Sequence, residues 1–155
     1  MGAVENYEKE FVERTREILS KYDGDYKLTN LVNCCLGLVI LPFEKMNRNN
    51  FLNWNESIED LQNEIGFNLI TFEPVKSRRN GQIEYYPKDI SAFLRKLRNG
   101  LTHQRIEAVN NDGYFTGIRI RTSENDLEVE FNRSQLEKLC LYICDRYLES
   151  FPELI

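Results

Sequence analysis

The sequence has one histidine, His103, in 155 residues, and its four cysteines form no Cys-x-x-Cys clip. The single histidine excludes any catalytic scheme that takes two imidazoles from one chain. The missing clip removes the ligand spacing of structural zinc. The longest apolar run, Cys34 to Leu41, stops at Pro42, far short of the ~18 residues a membrane span needs. No Gly-rich phosphate loop, dinucleotide fingerprint, His-Glu-x-x-His helix or Ser-His-Asp set is present. The first thirty residues are charged and amphipathic rather than signal-like. Met1-Gly2 is followed by Asn6, where a myristoylation start requires Ser or Thr. These absences set the expectation of a cytoplasmic chain without membrane, metal or cofactor.

A length of 155 residues suits one domain over 1–155, and 41% hydrophobic with 29% charged residues is the balance of an ordinary globular core and surface. Cys34 and Cys35 are adjacent and diverge on a helix, whereas Cys140 and Cys144 share a face. All four read as small buried hydrophobes in a reducing compartment.

Periodicity places the elements. Val4, Tyr7, Phe11, Val12, Thr15, Ile18, Leu19 and Tyr22 recur at helical steps until Asp23-Gly24-Asp25. A second helix, from about Leu28 to Leu41, is apolar nearly all round and is expected to be the central one, with Pro42 stopping or kinking it. Trp54 is expected to pack over the polar connection 47–50. A short helix from about Glu56 to Ile65 should stop at Gly66. Residues 67–87 read as irregular, except that Asn80-Gly81 is a tight-turn signal between two short runs, consistent with a small hairpin or basic arm. Pro87 opens the next helix, with Ile90, Phe93, Leu94, Leu97 and Leu101 as its stripe. After the turn cluster 110–113 come two strands, in which Arg119 and Arg121 fall opposite Glu128 and Glu130. Ser134 to Glu137 reads as a capping box opening a last helix, with Leu136, Leu139, Cys140, Ile143, Tyr147, Leu148 and Phe151 buried. The expected fold is mainly α: a bundle of four to five helices with a β-hairpin inserted before the C-terminal helix.

Net charge is −5, which disfavours nonspecific nucleic-acid binding over the whole surface. The segment from Lys76 to Arg105 departs from that balance, with eight cations against two acids. It contains Lys76, Arg78, Arg79, Arg95, Lys96, Arg98 and Arg105, the candidates for holding RNA phosphates, and it ends on the motif Arg98-Asn99-Gly100-Leu101-Thr102-His103. RNA cleavage without a metal requires three acts: a proton taken from the 2′-hydroxyl, a proton given to the leaving 5′-oxygen, and charge stabilised on the phosphoryl oxygens. Histidine suits either proton step, and arginine suits the last. On one straight helix, five residues turn about 500°, which splays Arg98 and His103 by about 140°. A two-fold dimer would bring two histidines and two arginines into one cleft, and Gly100 would let the two backbones approach.

The motif and the helical layout resemble the HEPN superfamily, whose signature is an arginine, often followed by a polar residue, then a histidine four to six positions on at the end of a helix. The resemblance implies a HEPN-like domain over roughly the whole chain. It implies a metal-independent endoribonuclease of toxin–antitoxin or antiphage defence type, cutting RNA at a homodimer interface. Arg98 and His103 would be catalytic and Asn99 would assist them, with a cognate antitoxin as a further partner. One branch of the superfamily carries a tyrosine two residues after the histidine, as the target of adenylylation. Arg105 stands there, which puts that regulation in doubt. The competing readings are a non-catalytic HEPN-like module that binds RNA or protein, and the nontoxic half of a pair.

Overall fold

The computed structural model describes residues 7–46, 54–103 and 105–149. In chain order the elements are α1 (Tyr7–Lys21), α2 (Lys27–Met46), α3 (Ile58–Ile65), β1 (Asn68–Phe72), β2 (Val75–Arg79), β3 (Gln82–Tyr85), α4 (Ile90–Thr102), β4 (Ile106–Asn111), β5 (Tyr114–Arg121), β6 (Leu127–Asn132) and α5 (Arg133–Glu149). Strands β1-β6-β5-β4 form one antiparallel sheet, in that order, and β2-β3 form a separate hairpin. The expected mainly helical bundle with a single inserted hairpin is therefore wrong. Four strands make a sheet against which helices pack on one face.

The two strands absent from the expectation explain the error. β1 (Asn68-Leu69-Ile70-Thr71-Phe72) pairs with β6, yet its Ile70 is exposed, so no clean alternation marks it. β4 (Ile106–Asn111) lies at the sheet edge with β5 as its neighbour in the sheet, and carries Glu107 and two asparagines. A polar edge strand has little period-2 signal to read. The β5–β6 pairing does follow the alternation, with Arg119 opposite Glu130 and Arg121 opposite Glu128. Arg119 binds Glu130 at 2.8 Å, and Arg121 pairs with Glu107. Left-handed backbone falls at Asn80 and Gly81, the predicted tight turn, and at Asp112 and Gly113, the second half of the predicted cluster 110–113, whose first two residues end β4. Their two-residue geometry closes both hairpins.

Element ends differ in instructive ways. α2 continues through Pro42 to Met46, so the proline does not stop it. α3 starts at Ile58, capped by Ser57, and ends on Gly66 at φ +90° as predicted. α4 opens at Ile90 rather than Pro87, because Asp89 is its cap. α5 is opened by Asn132 and Gln135: the Asn132 side chain accepts the Gln135 N–H at 2.8 Å, and the Gln135 side chain accepts the Asn132 N–H at 2.9 Å. The reciprocal box is therefore two residues earlier than Ser134–Glu137. Trp54 is buried, with Tyr142 at its edge and the Arg146 guanidinium 4.7 Å from its ring. The connection 47–50 and Phe151 lie outside the described residues.

Helix α2 packs against α1, α4 and α5, and α4 carries the motif. Helix α4 buries eight of thirteen residues and packs between α2 and strands β5 and β6. Phe93 on its inner face stacks on Phe67 at 5.3 Å and meets Phe72 edge-on, and Phe67 also touches Phe131 of β6. These rings weld helix to sheet. All four cysteines are buried between α2 and α5, and burial pushes the Cys144 thiol up to about 12. No helix among the described residues is long and apolar enough to cross a membrane.

Candidate active site

The motif occupies the end of α4, and its position is set by the core. Asp89 Oδ1 accepts the Ala92 N–H at 2.8 Å and starts the helix. Ile90, Phe93, Leu97 and Leu101 then face inward. At Gly100 the helix lies close against the sheet: an added Cβ would sit 2.7 Å from Ile120 Cγ2 and 2.9 Å from the Arg121 carbonyl oxygen. Its close approach is thus to β5 of its own chain. Gly100 is buried there, and the expectation that it serves a second copy is corrected.

Past Gly100 the chain is stitched to the sheet. The His103 N–H donates to Asn99 O at 3.1 Å, and the Arg105 N–H donates to Gly100 O at 2.9 Å. Arg105 O accepts the Arg121 N–H at 3.0 Å. These bonds tie His103 back to α4 and Arg105 to both α4 and β5. His103 is the C-terminal cap and is exposed, while Arg98 and Asn99 are half-buried one turn earlier. The imidazole, a group suited to proton transfer, is thus at the surface, and the half-buried Arg98 guanidinium, whose planar fork suits a phosphate, precedes it by five residues.

The other candidates separate into two groups. Arg95 and Arg98 are three apart and share a face of α4. The Arg95 guanidinium lies 4.9 Å from the Tyr86 ring centroid, and Lys76 Nζ lies 6.0 Å from the same ring. Tyr86, at the foot of the β2–β3 hairpin, therefore joins that hairpin to the motif helix. From the sequence, Tyr86 stands with Tyr85 and Tyr114 only as an alternative proton donor, not as a link between hairpin and helix, although a tyrosine inside a basic segment is the signal for such a contact. Arg95 precedes His103 by eight residues, about 12 Å along the helix axis. Arg78 and Arg79 are exposed at the hairpin tip and form no ion pair among the described residues. Arg105 is exposed immediately before β4.

Lys96 belongs elsewhere. It is 6% exposed, and its ammonium meets Asp126 Oδ2 at 2.9 Å. Asp126 also accepts the Val75 N–H at 2.9 Å and the Thr122 hydroxyl. Burial pushes the Asp126 carboxyl up, but the Thr122, Lys96 and Val75 donors outweigh it and hold the carboxyl below its ordinary value. Lys96 is three residues from Phe93 and four from Gly100, so helical spacing already puts it on the inner face. Lys88 is likewise engaged, with Glu73 at 2.7 Å. Of the segment's other cations, Lys76, Arg78, Arg79 and Arg105 are exposed, and Arg95 and Arg98 are half-buried.

No curated protein and no solved structure matches the chain significantly. The sequence profile of the family described as HEPN pEK499 p136 matches residues 1–154. With the motif at the end of α4 and the match running over nearly every residue, the chain belongs to the HEPN pEK499 p136 family.

Proposed function

We propose that this protein is a metal-independent endoribonuclease whose active centre is completed by a second copy of the chain. Family membership fits a nuclease or RNA-binding function. The observation that carries the finer reading is the exposure of the sole histidine at the end of α4, with Arg98 and Asn99 held one turn behind it. In this reading Arg98 binds the scissile phosphoryl oxygens, and Asn99 orients the phosphate or the imidazole. His103 takes the 2′-hydroxyl proton, and the 2′-oxygen attacks the adjacent phosphorus. The P–O5′ bond breaks and the 5′-oxygen leaves with a proton from a donor. The products are a 2′,3′-cyclic phosphate and a 5′-hydroxyl. One chain holds one imidazole, so the proton donor is assigned to His103 of a partner subunit in a two-fold dimer. Lys76, Arg78, Arg79, Arg95 and Arg105 carry the RNA backbone. The biological setting proposed is a toxin–antitoxin or antiphage system with an antitoxin as partner.

The experiment is cleavage of a defined RNA by purified protein in excess chelator, with product ends identified. Wild type is expected to cut and leave cyclic or 3′-phosphate ends. His103→Ala and Arg98→Ala are expected to be inactive while keeping the wild-type circular dichroism spectrum. Equal rates in wild type and His103→Ala would refute the mechanism, and 5′-phosphate products would indicate hydrolysis of another kind. RNA binding by wild type without cleavage would assign the protein to the non-catalytic binding modules.

A further inference from the structure

The three most exposed large apolar side chains of the described residues are Tyr114 (76%), Tyr26 (74%) and Phe115 (63%). They come from two distant parts of the sequence and line one groove of about 360 Å³. Tyr26 lies in the α1–α2 turn, where its N–H donates to the Tyr22 hydroxyl at 3.2 Å. Tyr114 and Phe115 open β5, immediately after the left-handed turn at Asp112 and Gly113. Asp25, Lys27 and Arg133 complete the groove's charged lining. Lys27 is paired with Glu137 at 3.6 Å. Arg133 forms no ion pair among the described residues.

Three exposed aromatic side chains and a guanidinium without an ion pair among the described residues, with Asp25 the one acid in the lining, match the chemistry of an unpaired nucleotide. Bases stack on rings, and phosphate takes the cation. One strand joins the groove to the candidate active site. β4 runs from the turn after His103 to the hairpin tip, and six residues of strand span about 20 Å. The β4–β5 ribbon therefore connects the groove to the end of α4. We infer that the groove formed by Tyr26, Tyr114, Phe115 and Arg133 is a single-stranded RNA subsite, which stacks unpaired bases at a distance from His103. This rests on the RNA reading above and adds a second contact region to it.

The test is fluorescence anisotropy of a labelled twelve-nucleotide oligouridylate, performed on His103→Ala protein so that binding is read without cleavage. Tyr26→Ala with Tyr114→Ala and Phe115→Ala is expected to weaken binding by about tenfold or more, with the salt dependence unchanged. Tyr26→Phe with Tyr114→Phe should keep wild-type affinity, because the ring remains. Arg133→Gln should lower the slope of log affinity against log salt by about 0.7, the value of one phosphate contact on a single strand. A duplex RNA of equal length should show no loss in the triple variant. Unchanged oligouridylate affinity in the triple variant would overturn the inference, as would a loss equally large in the Phe variant. A fall in solution mass on removing the three rings, with RNA affinity intact, would instead make the groove a contact between copies. These readouts need no catalysis. Binding through the groove by a chain that never cuts RNA would overturn the nuclease reading alone.

Discussion

Replacing Lys96 by alanine is expected to unfold the protein sooner, not merely to loosen its hold on RNA. Lys96 and Asp126 are 6% and 3% exposed, and their charged atoms are 2.9 Å apart. Removing one partner of a buried ion pair leaves the other charge uncompensated, which costs about 3–5 kcal/mol. Asp126 would keep the Thr122 hydroxyl and the Val75 N–H, so the lower end applies, about 3 kcal/mol. For a chain of this size that corresponds to roughly 6–12 °C in Tm. The deficit should depend on pH. Asp126 is held below its ordinary value, so its contribution is present above the unfolded carboxylate range and is lost as pH falls through the folded value. The gap between wild type and Lys96→Ala should therefore narrow on acidification, as the stranded carboxylate takes a proton. Urea unfolding followed by circular dichroism, at neutral pH and near pH ~4, measures both effects. Double replacement by Lys96→Met and Asp126→Asn should recover part of the loss, because it removes the stranded charge and keeps a side-chain oxygen for the Val75 N–H. An unfolding midpoint of Lys96→Ala equal to wild type, with RNA affinity reduced, would refute the buried role.

Three further outcomes follow from the same packing. Gly100→Ala should destabilise by about 1–3 kcal/mol, because its Cβ meets Ile120 and the Arg121 carbonyl; wild-type Tm and activity would contradict that contact. Serine at Lys76, Arg78 and Arg79 together should weaken RNA binding and lower its salt slope by about 2–3, whereas an unchanged slope would make the hairpin a solvated arm only. All four thiols are buried, and burial raises Cys34 and Cys144, so native protein should leave them unreacted with a thiol reagent until guanidinium is added. A reactive thiol in the folded state would contradict the packing of α2 on α5.

What the sequence could not disclose was the sheet, and the reason is physical. Period-2 alternation marks a strand only when one face is buried and the other is wet. β5 and β6 meet that condition, and their register could be read from Arg119, Arg121, Glu128 and Glu130. β1 exposes Ile70, and β4 is a polar edge, so pairing with a neighbour defines them rather than their own pattern. Turn chemistry was legible at Asn80-Gly81 and at Asp112-Gly113, because left-handed backbone has few residue solutions. The motif helix was legible from its stripe, but the fate of each cation on it was not. Arg95 and Lys96 are neighbours in sequence, yet one lies over Tyr86 and the other is enclosed with Asp126.

The sheet also accounts for where the histidine is held. A lone imidazole at the frayed end of a helix would be poorly positioned for proton transfer, which tolerates little misplacement. Here α4 is pinned on both sides of its end. Gly100 lies against Ile120 and Arg121, and Arg105 exchanges backbone hydrogen bonds with Gly100 and Arg121. Both anchors are on β5, the strand that also carries Tyr114 and Phe115 at its other end. An all-helical bundle would offer neither anchor. The four-stranded sheet thus supplies what the motif alone lacks: backbone anchors on either side of His103, on the strand whose other end lines the aromatic groove proposed to hold the substrate strand.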